Sequence, residues 1–111
     1  MKIFQDKRLR ECNYGMFNAK SSEIVEPMQE KCITNQFPEG ESYEDVKKRI
    51  SDFLDFLKKK HDGKSVAIVA HKAPQLALDV LIKKKTWKQA FDDDWRKKKK
   101  WQPGWEYVLE F

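Results

Sequence analysis

Residues 65–74, SVAIVAHKAP, decide the fold that we predict for this chain. The apolar, β-branched run at 66–70 is typical of a strand buried on both faces of a parallel sheet. His71 follows this run directly, and Pro74 suits the first turn of a helix. Open α/β sheets bind their ligands where a strand ends and the next helix begins. His71 is therefore our first candidate for chemistry, with a satisfied polar side chain at a strand end as the alternative.

Length and composition indicate one folded domain. A chain of 111 residues buries one hydrophobic core but not two. Its 40% hydrophobic and 13% aromatic residues exclude an intrinsically disordered protein despite 37% charged residues. No apolar run approaches the roughly 20 residues of a membrane span, and residues 1–6 lack a signal-peptide core. We expect a cytoplasmic protein without a membrane partner.

The formal net charge of +5 is accompanied by clustered lysines at 58–60, 83–85 and 97–100. Such clusters attract nucleic acid, acidic membranes or phosphorylated small molecules. Each cluster follows an apolar periodic segment, so solvated helix ends are the simpler interpretation. Cys12 and Cys32 have no CxxC spacing and no histidine at metal-ligand spacing, which predicts free thiols and no metal site.

Capping boxes and periodicity predict the helices. Ser42 and Asp45 precede apolar residues at helical spacing, which predicts a helix from residue 43 to about 60. Gly63 then supplies a left-handed turn. A second helix is predicted at 73–82, and Thr86 with Gln89 opens a short third one that carries Trp87, Phe91 and Trp95.

The remaining segments complete an α/β pattern. Residues 12–38 are predicted to form a long ordered loop with one short helix near 22–30. The alternation in WEYVLEF, residues 105–111, predicts a terminal strand with one partly wet face. Helices alternating with strands place the chain in the α/β class.

Three motifs occur in order along the chain. RLRE at 8–11, with Asn-Tyr-Gly at 13–15, is followed by FPEGES at 37–42, which opens the long helix, and then by the predicted strand ending in His71. Together they resemble the carboxyl-terminal part of the histidine phosphatase superfamily, the phosphoglycerate mutase-like proteins. The resemblance implies a partial three-layer α/β/α sandwich of that type with the first βα units absent, hence a single truncated domain over residues 1–111.

The resemblance also implies roles for individual residues. Glu11 would protonate the leaving oxygen of a phosphomonoester, and His71 would donate to the phosphoryl oxygens. Tyr14 would contact substrate, and the backbone N–H of Lys72 would point at the phosphate. The implied substrate is a phosphorylated small molecule, and no cofactor or metal is expected.

Departures from the family pattern change the expected activity. The 111 residues contain no Arg-His-Gly motif, which carries the nucleophilic histidine of the family, and no counterpart of its second phosphate-binding arginine. Cys12 stands where the cofactor-dependent mutases carry arginine, and Lys72 stands where a small residue usually follows the second histidine. The resemblance therefore implies phosphatase ancestry and an isolated chain that is inactive.

Missing neighbour strands would leave a bare sheet edge. Such an edge favours self-association, a complementing amino-terminal half, or a rearranged fold. Two alternatives stay open beside the phosphatase-like domain: a non-catalytic module that binds phosphate or acidic ligands through Glu11, His71 and the lysines, and a basic nucleic-acid-binding domain. The last is disfavoured because no reader motif or interleaved exposed aromatic residues accompany the lysines.

Overall fold

The computed structural model describes residues 5–20, 22–61, 63 and 66–94. These residues contain four α-helices: α1 at Ser22–Val25, α2 at Tyr43–His61, α3 at Lys72–Ile82 and α4 at Trp87–Asp92. Short 3₁₀ helices at Lys7–Leu9, Gly15–Phe17 and Glu26–Met28 shape the segment before α2.

The predicted α/β fold class, with its partial three-layer sandwich, is wrong for this part of the chain, where no residue is in a strand. The run at 66–70 is irregular, and Val66 and Val69 are 47% and 94% exposed. A strand satisfies its backbone groups only by pairing with a neighbour. An apolar run signals a tendency to be buried but supplies no partner, and none of the described segments pairs with it. The predicted strand at 105–111 lies outside the described residues.

Helix α2 confirms the helix predicted after Ser42. The Ser42 hydroxyl accepts from the Asp45 N–H (3.1 Å), and the Asp45 carboxylate accepts from the Ser42 N–H (2.9 Å). This box satisfies two N–H groups that would otherwise lack partners at the helix start. One stripe of α2 is then buried at helical spacing, formed by Val46, Ile50, Phe53 and Leu57.

Helix α3 packs against both α2 and α4. It confirms the helix predicted at 73–82 and begins one residue earlier. Leu76 and Leu78 are buried, whereas Val80, Leu81 and Ile82 are only half-buried. The second predicted capping box is also present: the Thr86 hydroxyl accepts from the Gln89 N–H (3.1 Å), and the Gln89 side chain accepts from the Thr86 N–H (2.9 Å).

Aromatic side chains join the long loop to the helices. The Phe37 ring lies 5.0 Å from Tyr14 and 5.7 Å from Tyr43, and Tyr43 lies 5.0 Å from Phe91 on α4. These edge-on contacts hold residues 12–38 against the start of α2. In the part of the chain that is described, no helix is both long enough and apolar enough to cross a bilayer.

Candidate functional site

Glu11 meets the beginning of α3, although the two are 62 residues apart in sequence. One carboxylate oxygen, Oε1, accepts from the Ala73 N–H (3.0 Å) and from the Cys12 N–H (2.8 Å). A carboxylate at a helix amino terminus is favoured because it accepts from a free N–H and faces the positive end of the helix dipole. Two of the sequence-predicted site positions, Glu11 and the His71 junction, are thereby brought together.

His71 is the residue immediately before α3. Its backbone is extended (φ −109°, ψ −176°), and its carbonyl accepts from the Gln75 N–H (3.1 Å). The imidazole does not cap the helix and is exposed. A histidine side chain is therefore available to solvent beside the helix start where Glu11 is anchored.

The Lys72 side chain is directed away from this junction, toward acidic groups. Its Nζ lies 3.5 Å from Asp94 Oδ2 and 4.0 Å from Glu26 Oε1. The backbone N–H of Lys72 donates to none of the described residues, whereas that of Ala73 is taken by Glu11. Pro74 has no N–H. The first turn of α3 thus presents the Lys72 N–H as its open donor.

Tyr14 is half-buried and packs its ring edge-on against Phe37 and Tyr43. Burial raises the pKa of the Tyr14 hydroxyl, and the proximity of Tyr43 and Glu11 raises it further. The phenol therefore stays protonated and can donate a hydrogen bond. The resemblance singled out Tyr14 as a substrate contact but did not predict the packing of its ring against Phe37 and Tyr43.

Sequence reasoning missed Arg49 and Glu41. Arg49 lies on α2 between the buried residues Val46 and Phe53, and it is itself 9% exposed. Its guanidinium donates to both Glu41 carboxylate oxygens (2.9 Å each) and to three backbone carbonyls of residues 8–11. A signal was present in the sequence, because a charged residue on the core-facing stripe of an amphipathic helix needs buried partners.

Cys12 follows Glu11 and is 3% exposed. Burial raises the pKa of its thiol to about 12, and the Glu41 and Glu11 carboxylates contribute to this increase. A thiol that stays protonated at neutral pH is a poor nucleophile. Cys12 is therefore a poor candidate for a nucleophile. The free thiols predicted for Cys12 and Cys32 are confirmed, and no group of three metal-binding side chains occurs among the residues described.

Comparison with known proteins identifies the family to which these motifs belong. Residues 1–92 match the family model of the histidine phosphatase superfamily (branch 1), so the match includes Glu11, His71 and the α2 segment between them. A search of curated proteins found no match. Because the family match spans most of the 111 residues, the chain belongs to the histidine phosphatase superfamily.

Proposed function

We propose that this chain is a phosphatase-related domain that binds the phosphoryl group of a phosphorylated small molecule at the amino terminus of α3. One observation carries the proposal: the Glu11 carboxylate is hydrogen-bonded to the Ala73 N–H at 3.0 Å. That contact brings Glu11 to the helix end that His71 immediately precedes. Family membership supports a phosphorylated substrate.

The electrostatics of this helix end suit a phosphoryl group. Helix amino termini favour anions because their N–H groups and dipole point outward. No acceptor among the described residues binds the Lys72 N–H, and His71, the residue before it, is exposed. In phosphoryl transfer the charge spreads over the equatorial oxygens, so the two donors would bind that charge.

We assign Glu11 the role of the acid. Its Oε1 accepts two backbone hydrogen bonds, whereas no hydrogen bond from the described residues reaches Oε2. We assign Oε2 the proton that passes to the leaving oxygen of the substrate. Tyr14, whose hydroxyl stays protonated, is our candidate for a further donor to substrate.

We propose that the isolated chain does not hydrolyse phosphomonoesters, because its sequence has no Arg-His-Gly nucleophile. A complementing polypeptide that carries this motif would then restore activity. The exposed apolar side chains of Val66 and Val69, which lie next to His71 in sequence, are where we place such a partner. Self-association through the same segment is the alternative. The single-domain organisation and the cytoplasmic location stay predictions from the sequence.

Phosphate titration of the isotope-labelled chain tests the binding site. Inorganic phosphate is expected to shift the backbone amide signals of Lys72 and Ala73, and His71→Ala should weaken binding about tenfold. His61→Ala, at the far end of α2, is the matched control and should bind as the unaltered chain does. Absence of any shift at Lys72 and Ala73 at millimolar phosphate would contradict the proposal.

Turnover of an aryl phosphate separates the remaining possibilities. We expect none from the chain alone and measurable turnover after mixing with an amino-terminal half of a family member that carries Arg-His-Gly. Turnover by the chain alone would overturn the assigned mechanism. Phosphate binding without turnover in the mixture would indicate a non-catalytic binding module, and tight, steeply salt-dependent binding of DNA or RNA would indicate the nucleic-acid alternative.

A further inference from the structure

We infer that Arg49 is a positioning residue for Glu11, holding the backbone of residues 8–11 so that the Glu11 carboxylate reaches the start of α3. The catalytic role of Glu11 rests on the proposed function, whereas the contacts of Arg49 do not. Arg49 acts through the backbone, because its hydrogen bond to Glu11 goes to the main-chain carbonyl (3.1 Å).

The segment that carries Glu11 has few hydrogen bonds of its own. Residues 10–14 lie between two 3₁₀ helices and are in neither helix nor strand. Backbone carbonyls in such a segment need donors from elsewhere when they are removed from water. Arg49 Nη1 donates to the carbonyls of Arg8 and Arg10 at 2.8 Å each, and Nη2 donates to that of Glu11. One guanidinium therefore binds the chain on the amino-terminal side of Glu11.

Glu41 binds the chain on the other side. Its carboxylate accepts from the Asn13 N–H (2.9 Å), and its own N–H donates to the Asn13 carbonyl (2.7 Å). The same carboxylate accepts two hydrogen bonds from Arg49, which compensates the buried charge. The backbone is thus fixed on both sides of Glu11, by Arg49 at residues 8–11 and by Glu41 at Asn13. The two contacts are connected, because the Glu41 carboxylate also binds Arg49.

This arrangement depends on the shape of arginine. The guanidinium is a planar fork with five N–H donors, and here it makes five hydrogen bonds. The lysine ammonium has three donors on a compact head and does not reproduce the fork. Arg49→Lys therefore keeps the positive charge opposite Glu41 but releases part of the backbone around Glu11.

The test reads the Glu11 contact directly. In the isotope-labelled chain at pH 7, Glu11→Ala removes the acceptor of the Ala73 N–H, so the Ala73 amide signal is expected to move from its position in the unaltered chain. In R49K we expect this signal to move in the same direction and at least half as far.

Arg10→Lys is the matched control. Arg10 also faces Glu41, at 3.8 Å, but its side chain is exposed and donates to none of the carbonyls that Arg49 binds. R10K should leave the Ala73 signal where it is in the unaltered chain. A purely structural role for Arg49 would lower the urea midpoint of R49K and leave the Ala73 signal of the folded protein unmoved; that result would overturn the inference.

A stabilising osmolyte keeps the variant folded if the substitution destabilises it. If R49K is partly unfolded, both it and the unaltered chain are measured in trimethylamine N-oxide, which favours the folded state. Arg49→Gln provides a second variant with at most two donors, and an unmoved Ala73 signal in either folded variant would refute the positioning role. The samples contain no phosphate, so a failure of this test and a failure of phosphate binding are separate results.

Discussion

A buried arginine and its carboxylate partner dominate the electrostatics at the residue scale. Burial opposes ionisation of Glu41, but the hydrogen bonds from Arg49 and Asn13 and the charges of Arg49 and Arg10 outweigh it. The pKa of Glu41 therefore lies below its ordinary value of 4.5. A carboxyl whose pKa is lowered by folding stabilises the fold above its unfolded pKa, and this contribution is lost as the pH falls through the folded value.

Replacing Glu41 by glutamine should reveal this contribution. Glu41→Gln leaves the Arg49 charge buried without its partner, so we expect the free energy of unfolding at pH 7 to fall by about 3 kcal/mol. Urea denaturation measures this difference, which should shrink as the pH falls from 4.5 through the lower pKa of the folded Glu41, because the unaltered carboxyl is then uncharged, as glutamine is. Glu44→Gln is the control: its ion pair with Lys47 is exposed, and the expected change is under about 1 kcal/mol. A pH-independent difference for E41Q would contradict this account.

Close packing of two backbone segments makes Gly40 sensitive to substitution. A Cβ atom at Gly40 would overlap the Asn13 carbonyl oxygen and lie 2.6 Å from the Gly15 nitrogen. Gly40→Ala is therefore expected to destabilise the protein by about 1–3 kcal/mol, because backbone has to move to accommodate the methyl group. Amide shifts at residues 13–15 should change as well.

Gly63 offers the matched control for this substitution. It adopts φ +75°, and a Cβ there would have no neighbour within 4 Å. Gly63→Ala should cost about 1 kcal/mol from its left-handed conformation alone. It should also leave the amide shifts of residues 13–15 unchanged. Equal changes at those amides in G40A and G63A would rule out the steric explanation.

At the scale of the element, α2 sets the position of both halves of the site. Its first residue lies two positions after Glu41, its middle carries Arg49, and its apolar stripe packs against α3. Any displacement of α2 would therefore move Arg49, and with it the backbone of residues 8–11, relative to α3. The capping box at Ser42 and Asp45 determines where α2 begins.

Removing the cap should weaken α2 measurably. Ser42→Ala deletes the acceptor for the Asp45 N–H, and we expect a loss of about 1 kcal/mol in the free energy of unfolding. Ser51→Ala, in the interior of the same helix, is the control and should be neutral or slightly stabilising because alanine has the higher helix propensity. Thermal or urea denaturation of both variants checks the prediction, and equal effects would show that the cap contributes nothing.

At the scale of the whole molecule, the described residues form a helical body with an apolar irregular segment on its surface. The core is built from α2, α3, α4 and the aromatic residues of the long loop. Val69 stands outside this core at 94% exposure, whereas Leu76 lies within it at 1%. The two residues belong to neighbouring parts of the sequence but to opposite environments.

A pair of substitutions tests this difference. Val69→Asp should change the free energy of unfolding by no more than about 0.5 kcal/mol, because surface substitutions rarely exceed that value. Leu76→Ala should cost about 2–5 kcal/mol through the cavity it leaves. Urea denaturation of the isolated chain measures both. A loss above 2 kcal/mol for V69D would show that residues 66–70 are buried and would contradict the described arrangement.

Local signals in the sequence were enough to predict α2, α3 and α4. Capping boxes and helical periodicity act within a few residues, so Ser42 with Asp45 and Thr86 with Gln89 identify helix starts without knowledge of the fold. The order of the motifs also predicted the family and named Glu11 and His71 as candidates. Each of these conclusions depends on short-range chemistry or on motif order.

Tertiary structure alone decided the environment of the 66–70 run and the contacts of Glu11. A β-branched run predicts burial, but a strand exists only when another segment pairs with it, and that partner is not encoded in the run itself. Likewise, Glu11 lies 62 residues from Ala73 in sequence and 38 residues from Arg49, and it contacts both. Such contacts depend on how α2 and α3 pack together. The sequence by itself therefore determined the helices and the ancestry, whereas only the packing decided how the candidate site is assembled.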